Sequence, residues 1–281
     1  RSIGYAIRQT QPTRVVVVFD GKNGSQSRKK IYSEYKAGRD KNKLRVNRQY
    51  ADMMNDEDER ESMKRQYVWL MEMMHELPIT TMIYDGVEAD DIMAYIPTQI
   101  LKEGEQAVVM STDKDFLQLV GDDTIVWSPT KKKIYNTNRI KEEFGLDPKN
   151  LLLYRVLDGD KSDNIPRIHK MTPSKVKKVA AYLIEKYDSE ILDKLDNYKN
   201  DISFIEECAK KVIEVAKIKD SDVILSLNEA ICLNIKLMRL STKMIPSHVK
   251  TEEYDKIYKN KVYTKFNYNK LVEIKNNSVL I

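Results

Sequence analysis

Eight carboxylates fall in four short groups of a kind that can hold hard cations. They are Asp20 in VVFDGK (17–22), Glu88, Asp90 and Asp91 in GVEADDIMAY (86–95), Asp113 and Asp115 in STDKDFLQLV (111–120), and Asp160 and Asp163 in LDGDKSDNIP (157–166). Like charges gather where a divalent ion offsets their repulsion. Each group also has an ordinary reading: an Asp-Gly turn, acidic residues complementing a helix dipole, an N-cap, an acidic loop. Four such groups at one place point instead to a metal. The oxygen-only donor set favours Mg²⁺, with Mn²⁺ able to substitute, over zinc. His75, His169 and His248 lack metal spacing to the acidic groups, and Cys208 and Cys232 form no CxxC pair, so the sequence speaks against zinc and against Ser–His–Asp or Cys–His catalysis. Two such cations about 3.5–4 Å apart beside a polyanion-binding surface would hydrolyse a phosphodiester, with metal-bound water as nucleophile and no side-chain base required.

The elements that must position these groups alternate. RVVVVFDG (14–21), ITTMIYDG (79–86), QAVVMSTD (106–113) and TIVWSP (124–129) read as strands buried on both faces of a mostly parallel sheet. Every acidic group of the first half then follows the carboxyl end of a strand, where open α/β sheets form their ligand crevice. A long helical stretch at about 47–77 carries methionines read as adaptable core, and a further helix over 87–96 is bent or ended near Pro97. Beyond residue 137 helices are expected at about 138–144, 148–157, 173–187, 200–217 and 223–240.

Charge is distributed unevenly. Residues 21–50 hold ten basic side chains (among them Lys22, Arg28, Lys29, Lys36, Arg39, Lys41, Lys43 and Arg45) against Glu34 and Asp40. Tyr32, Tyr35 and Tyr50 are interleaved, the makeup of a nucleic-acid surface on which cations meet phosphates and bases stack. A second basic run includes Lys161, Arg167, Lys170 and Lys175. The whole chain of 281 residues is 41% hydrophobic and 32% charged with a net charge of +5, so it can bury a real core. Cysteine usage and the lack of a long apolar run suggest a reducing, cytoplasmic setting with no membrane association. Residues 1–137 are expected to form an α/β catalytic core with a basic arch at about 22–65, and residues 138–281 a helical DNA-binding region and tail.

In the order and spacing of VVFDGK, YSEYKAGR (32–39), GVEADDIMAY, STDKDFLQLV, WSPTKKK (127–133) and LDGDKSDNIP, the chain resembles the 5′-nuclease superfamily. This is the flap endonuclease and 5′→3′ exonuclease group, and the likeness is greatest to its phage members of the ribonuclease H type. The resemblance spans roughly residues 10–190. It implies a PIN-like α/β fold and removal of RNA primers and 5′ flaps during DNA replication. Asp20, Glu88, Asp90 and Asp113 would surround one Mg²⁺, Asp115, Asp160 and Asp163 a second, with Asp91 nearby. Lys36 and Arg39 match the basic pair that contacts the scissile phosphate, and residues 40–65 the arch. The implied partners are branched or nicked duplex DNA and RNA–DNA hybrids with a 5′ end, together with a single-strand-binding protein at the tail, the chain itself acting as a monomer.

Two departures stand out. The family's core begins with a strand bearing another ligating Asp, and this sequence opens at RSIGYAIRQT, within the helix that follows that strand; the expectation is that sequence is missing upstream. After Pro166 the family's glycine-rich helix-hairpin-helix element, GxxGIGxKTA, is replaced by RIHKMTPSKVKKVA, with Arg167, Lys170 and Thr172 at glycine positions. Side chains there obstruct close backbone approach to phosphate, which argues against a bound K⁺. A catalytically silent branched-DNA-binding protein and a single-strand PIN-like ribonuclease are the alternative readings.

Overall fold

In a computed structural model the structure describes residues 2–38, 56–168, 171–187, 191–196, 206, 209–210, 212–215, 217, 223–240 and 244–259. The chain divides into two compact units.

The first unit comprises 1–21, 38–85 and 246–281. It contains helix α1 (Ser2–Thr10), strand β1 (Val16–Asp20), helix α3 (Asp56–His75) and strand β2 (Thr80–Tyr84). A further helix, α10 (Ser247–Lys259), packs against β2, with Lys256 Nζ donating to the Tyr84 hydroxyl at 3.2 Å. The β-branched run dictates β1, and it pairs in parallel with β2 from Val16↔Thr80 to Asp20↔Tyr84. Gly21 follows because a Cβ there would lie 1.8 Å from the Tyr84 carbonyl oxygen. Of the α3 methionines, Met74 is buried whereas Met63 and Met73 are exposed, so the expected methionine core is realised only in part. Met53 and Met54 lie outside the described residues.

The second unit comprises 22–37 and 86–245. Its elements are α2 (Gln26–Ile31), α4 (Ala89–Tyr95), β3 (Ala107–Met110), β4 (Thr124–Ser128), β5 (Lys133–Tyr135), α5 (Thr137–Phe144), α6 (Leu151–Asp158), α7 (Pro173–Tyr187), α8 (Ile191–Asp196) and α9 (Val223–Met238). At Pro97 the chain passes from α4 into a π-helical turn, Ile96–Ile100. Every residue from Leu151 to Leu157 is buried, as suits a helix apolar on all sides. It forms the centre of a core shared with Val176, Val179 and Leu183 of α7 and Ile231 and Ile235 of α9.

The single, mostly parallel sheet expected from the sequence needs correction. The described strands form two ladders, β1–β2 and β3–β4–β5, and β5 runs antiparallel to β4. The connection 129–132 explains the reversal: it is long enough for a hairpin, whereas a parallel return needs a crossover of a dozen or more residues.

Candidate metal and phosphate site

Two guanidinium-centred clusters in the second unit gather most of the expected acidic residues. In the first, Arg28 of α2 is only 2% exposed. Its Nη1 and Nη2 each donate to one Asp91 oxygen at 2.7 Å, a matched fork. Nη1 also pairs with Glu88 Oε2, and Nε donates to the Leu237 carbonyl at 2.9 Å. Lys36 Nζ pairs with the other Glu88 oxygen, and the buried Tyr35 hydroxyl donates toward the same carboxylate at 3.4 Å. Burial alone would lower the Arg28 pKa, but its hydrogen bond to Asp91 and the charges of Asp91 and Glu88 leave it raised. Burial pushes Asp91 upward against the opposing pull of Arg28, and Tyr35 is raised by burial and by Glu88.

The segment 34–36 is tied to the acidic loop after α6. Lys36 N donates to the Asp163 carbonyl at 2.8 Å and Asn164 Nδ2 to the Glu34 carbonyl at 2.9 Å. Lys36 and Asn164 take left-handed φ values of 55° and 59°. Such conformations in non-glycine residues persist where surrounding contacts over-determine them, commonly at functional sites.

In the second cluster, Arg155 of α6 sends Nε and Nη2 to Asp115 Oδ1 at 3.0 and 2.8 Å and Nη2 to Asp160 Oδ2 at 2.5 Å. Asp115 stands in the short helical turn Lys114–Leu119, whose N-cap is Asp113, accepting from Asp115 N at 2.8 Å. Asp160 Oδ1 accepts from Ser162 N at 2.7 Å and from its hydroxyl at 2.5 Å. Reciprocal backbone bonds between Asp160 and Ile165 close the loop. Burial raises Asp115 to about 6, with Asp113 adding to it and Arg155 opposing. Asp160 is lowered: the bonds from Ser162 and Arg155 outweigh its burial. The cluster opens on a cleft of about 830 Å³ whose lining includes Tyr32, Asp113, Arg155, Asp160, Lys161 and Arg167.

Asp90 joins the first cluster at longer range, through its charge on Tyr35, as does the buried Asp163. Asp20 ends β1 in the first unit and is exposed. Lys22, Lys29, Lys161 and Arg167 are exposed and Lys175 partly so, as a phosphate-binding surface requires. Arg167 also pairs with Asp158 at 2.8 Å. Arg28, expected on that surface, is instead buried and committed to Asp91 and Glu88, and Tyr35 is likewise too buried to stack on a base. Arg39, Lys41, Lys43, Arg45, Tyr50 and Lys170 lie outside the described residues.

Sequence reasoning missed Arg155 and the burial of Arg28. Arg155 was detectable as the one charge inside LLLYRVL, since a cation in a buried helix needs an acidic partner.

Among the described residues no three His, Cys, Asp or Glu side chains stand arranged to hold a metal ion. The donor chemistry nevertheless fits Mg²⁺: the acidic side chains of both clusters offer oxygen donors only, and Asp115 and Asp160 already converge on one cation, the Arg155 Nη2. The described residues include no helix long and apolar enough to cross a membrane.

Comparison with known proteins follows the same lines. The chain is 28% identical over 261 residues to a 5′-3′ exonuclease of Aquifex aeolicus, covering 90% of this chain and 82% of that one. It is 29% identical over 193 residues to the flap endonuclease Xni of Shewanella denitrificans, covering 68% of each. The zinc-bound T5 5′-exonuclease shares its fold, with a TM-score of 0.65 and 20% identity over 92% of this chain and 88% of that structure. Residues 1–145, more than half of the sequence, match the family described as 5′-3′ exonuclease, N-terminal resolvase-like domain, and the chain therefore belongs to the 5′-3′ exonuclease family.

Proposed function

We propose that the chain is a structure-specific 5′ nuclease that removes 5′ flaps and RNA primers by metal-assisted phosphodiester hydrolysis. One observation carries the reading: Asp113 of the turn after β3 and Asp160 of the loop after α6 line one cleft with Lys161 and Arg167, and Asp115 meets Asp160 at Arg155. Glu88, Asp90 and Asp113 would hold one Mg²⁺ and Asp115, Asp160 and Asp163 a second, with Asp91 nearby and Mn²⁺ able to replace either. Asp20 stays in the proposed ligand set on sequence resemblance. When bound, such ions supply an activated water and neutralise charge on the phosphate.

The chain's own residues bind and orient the substrate. Lys36, kept beside Glu88, and Arg39 would contact the scissile phosphate. Lys22, Lys29, Lys161, Arg167, Lys170 and Lys175 would track the backbone of a nicked or branched duplex or an RNA–DNA hybrid. The segment after Pro166 would take the place of a helix-hairpin-helix element, gripping phosphates by side-chain charge instead of glycine backbone. The working form would be a cytoplasmic monomer.

The test uses 5′-labelled flap, nicked and blunt substrates with Mg²⁺ or EDTA, for the native chain and Asp160→Asn. Cleavage near the junction that needs Mg²⁺ and falls at least a hundredfold in the variant is expected. Binding of the flap without cleavage in Mg²⁺ would leave a branched-DNA-binding protein. Equal cleavage of single strands and flaps would indicate a single-strand ribonuclease.

A further inference from the structure

Arg28 and Arg155 are both buried guanidinium groups between two carboxylates, yet they are held differently. Arg28 makes a matched fork with Asp91 and adds a backbone acceptor, which fixes it. Arg155 sends two nitrogens to the same Asp115 oxygen, so its plane is not matched to that carboxylate. Its side chain is 10% exposed and lines the open cleft, so the guanidinium has somewhere to go. Nη2, at 2.8 Å from Asp115 and 2.5 Å from Asp160, occupies the point on which both carboxylates converge.

We infer that Arg155 is a tethered counter-ion standing in the place of a divalent cation: it holds Asp115 and Asp160 together while that place lacks metal, and its guanidinium must swing into the cleft for metal to bind. The inference rests on the proposed metal-dependent reading and adds an internal competitor to it. Arg155 offsets the mutual repulsion of the two carboxylates, and the same charge opposes an arriving cation. Once displaced, the group faces the cleft with donors suited to phosphate oxygens, so DNA in the cleft would favour the swung-out position. Arg155 is thus a positioning residue that couples metal binding to the presence of substrate.

Mn²⁺ binding to the native chain, Arg155→Gln, Arg155→Lys and Asp115→Asn, followed by the resonance of the unbound ion, tests this without reference to cleavage. Arg155→Gln is expected to bind Mn²⁺ about tenfold more tightly than the native chain, and Arg155→Lys to stay within about threefold of it. Its melting temperature should fall without metal and recover when Mg²⁺ is added. Equal or weaker Mn²⁺ binding by a folded Arg155→Gln chain would overturn the inference. If that variant is unfolded without metal, the titration is read as refolding by circular dichroism: recovery with Mg²⁺ supports the inference and none overturns it. Failure of the metal reading is separately visible, because the native chain and Asp115→Asn would then bind Mn²⁺ alike, and the inference would fall with it.

Discussion

Asp115 illustrates what a buried carboxylate costs when one cation serves two of its kind. Its pKa, raised to about 6, means that the fold favours the neutral form. The sign follows: the folded state loses stability relative to the unfolded chain as pH rises from the ordinary carboxylate range through about 6, and the cost is constant above that. Asp115→Asn, which removes the charge and keeps the shape, is expected in EDTA to raise stability by on the order of 1–2 kcal/mol at pH 8 and by nothing measurable near pH 4. The difference between native and variant melting curves across pH checks this. Arg28 predicts the reverse outcome. Removing one partner from a buried pair strands the other charges, so Arg28→Met should cost about 3–5 kcal/mol in urea unfolding. A surface phosphate contact would instead lose DNA affinity with stability unchanged.

At the scale of elements, the loop after α6 does the positioning. Gly159 ends the helix with a φ of 70°, and a Cβ there would lie 2.6 Å from Arg167 N and 2.7 Å from the Pro166 carbonyl carbon. Both the conformation and the close approach therefore demand glycine. Gly159→Ala should lower the melting temperature by roughly 5–10 °C, whereas Gly121→Ala, with nothing within 4 Å of the new methyl, should change it little. Much at this scale was legible in the sequence. The runs at 14–21, 79–86, 106–113 and 124–129 each contain the observed strand, because β-branched residues in an unbroken apolar stretch leave few alternatives. The helices α5, α6 and α7 lie close to their expected positions for the corresponding reason at helical period. Strand β5 was not legible, since three residues beginning in a lysine run carry no alternation, and a hairpin partner is set by β4 rather than by propensity. Helix α2, inside the span expected as a basic arch, was not legible because its one buried side chain is Arg28, a charge that counts as surface in any hydrophobic pattern.

For the whole molecule, the acidic groups could be identified from the sequence but their partners could not. Chain order places carboxylates after strands, but the pairing of Arg28 with Glu88 and Asp91, 60 and 63 positions away, and of Arg155 with Asp115, 40 positions away, is a property of the folded chain. The net charge of +5 likewise says less than its placement, with exposed Lys22, Lys29, Lys161 and Arg167 against acidic clusters whose charge is met internally. If those cations and the remaining basic side chains neutralise about five phosphates, log affinity for a nicked duplex should fall with log salt at a slope of about −4.5. The proposed grip by charge makes a further prediction. After Pro166 the chain turns through Met171 N donating to the Ile168 carbonyl, and Thr172 caps α7 with its hydroxyl accepting from Lys175 N at 3.4 Å. On the proposed reading, side chains such as Arg167 and Thr172 would take the place of a glycine hairpin that brings bare backbone against phosphate and a monovalent ion. Replacing KCl by NaCl at constant ionic strength should therefore leave duplex affinity unchanged within about twofold, because counterion release depends on charge and not on which monovalent cation is released. A marked preference for K⁺ in fluorescence-anisotropy titrations would instead require an ion held by backbone carbonyls, and would place the duplex grip on the main chain after all.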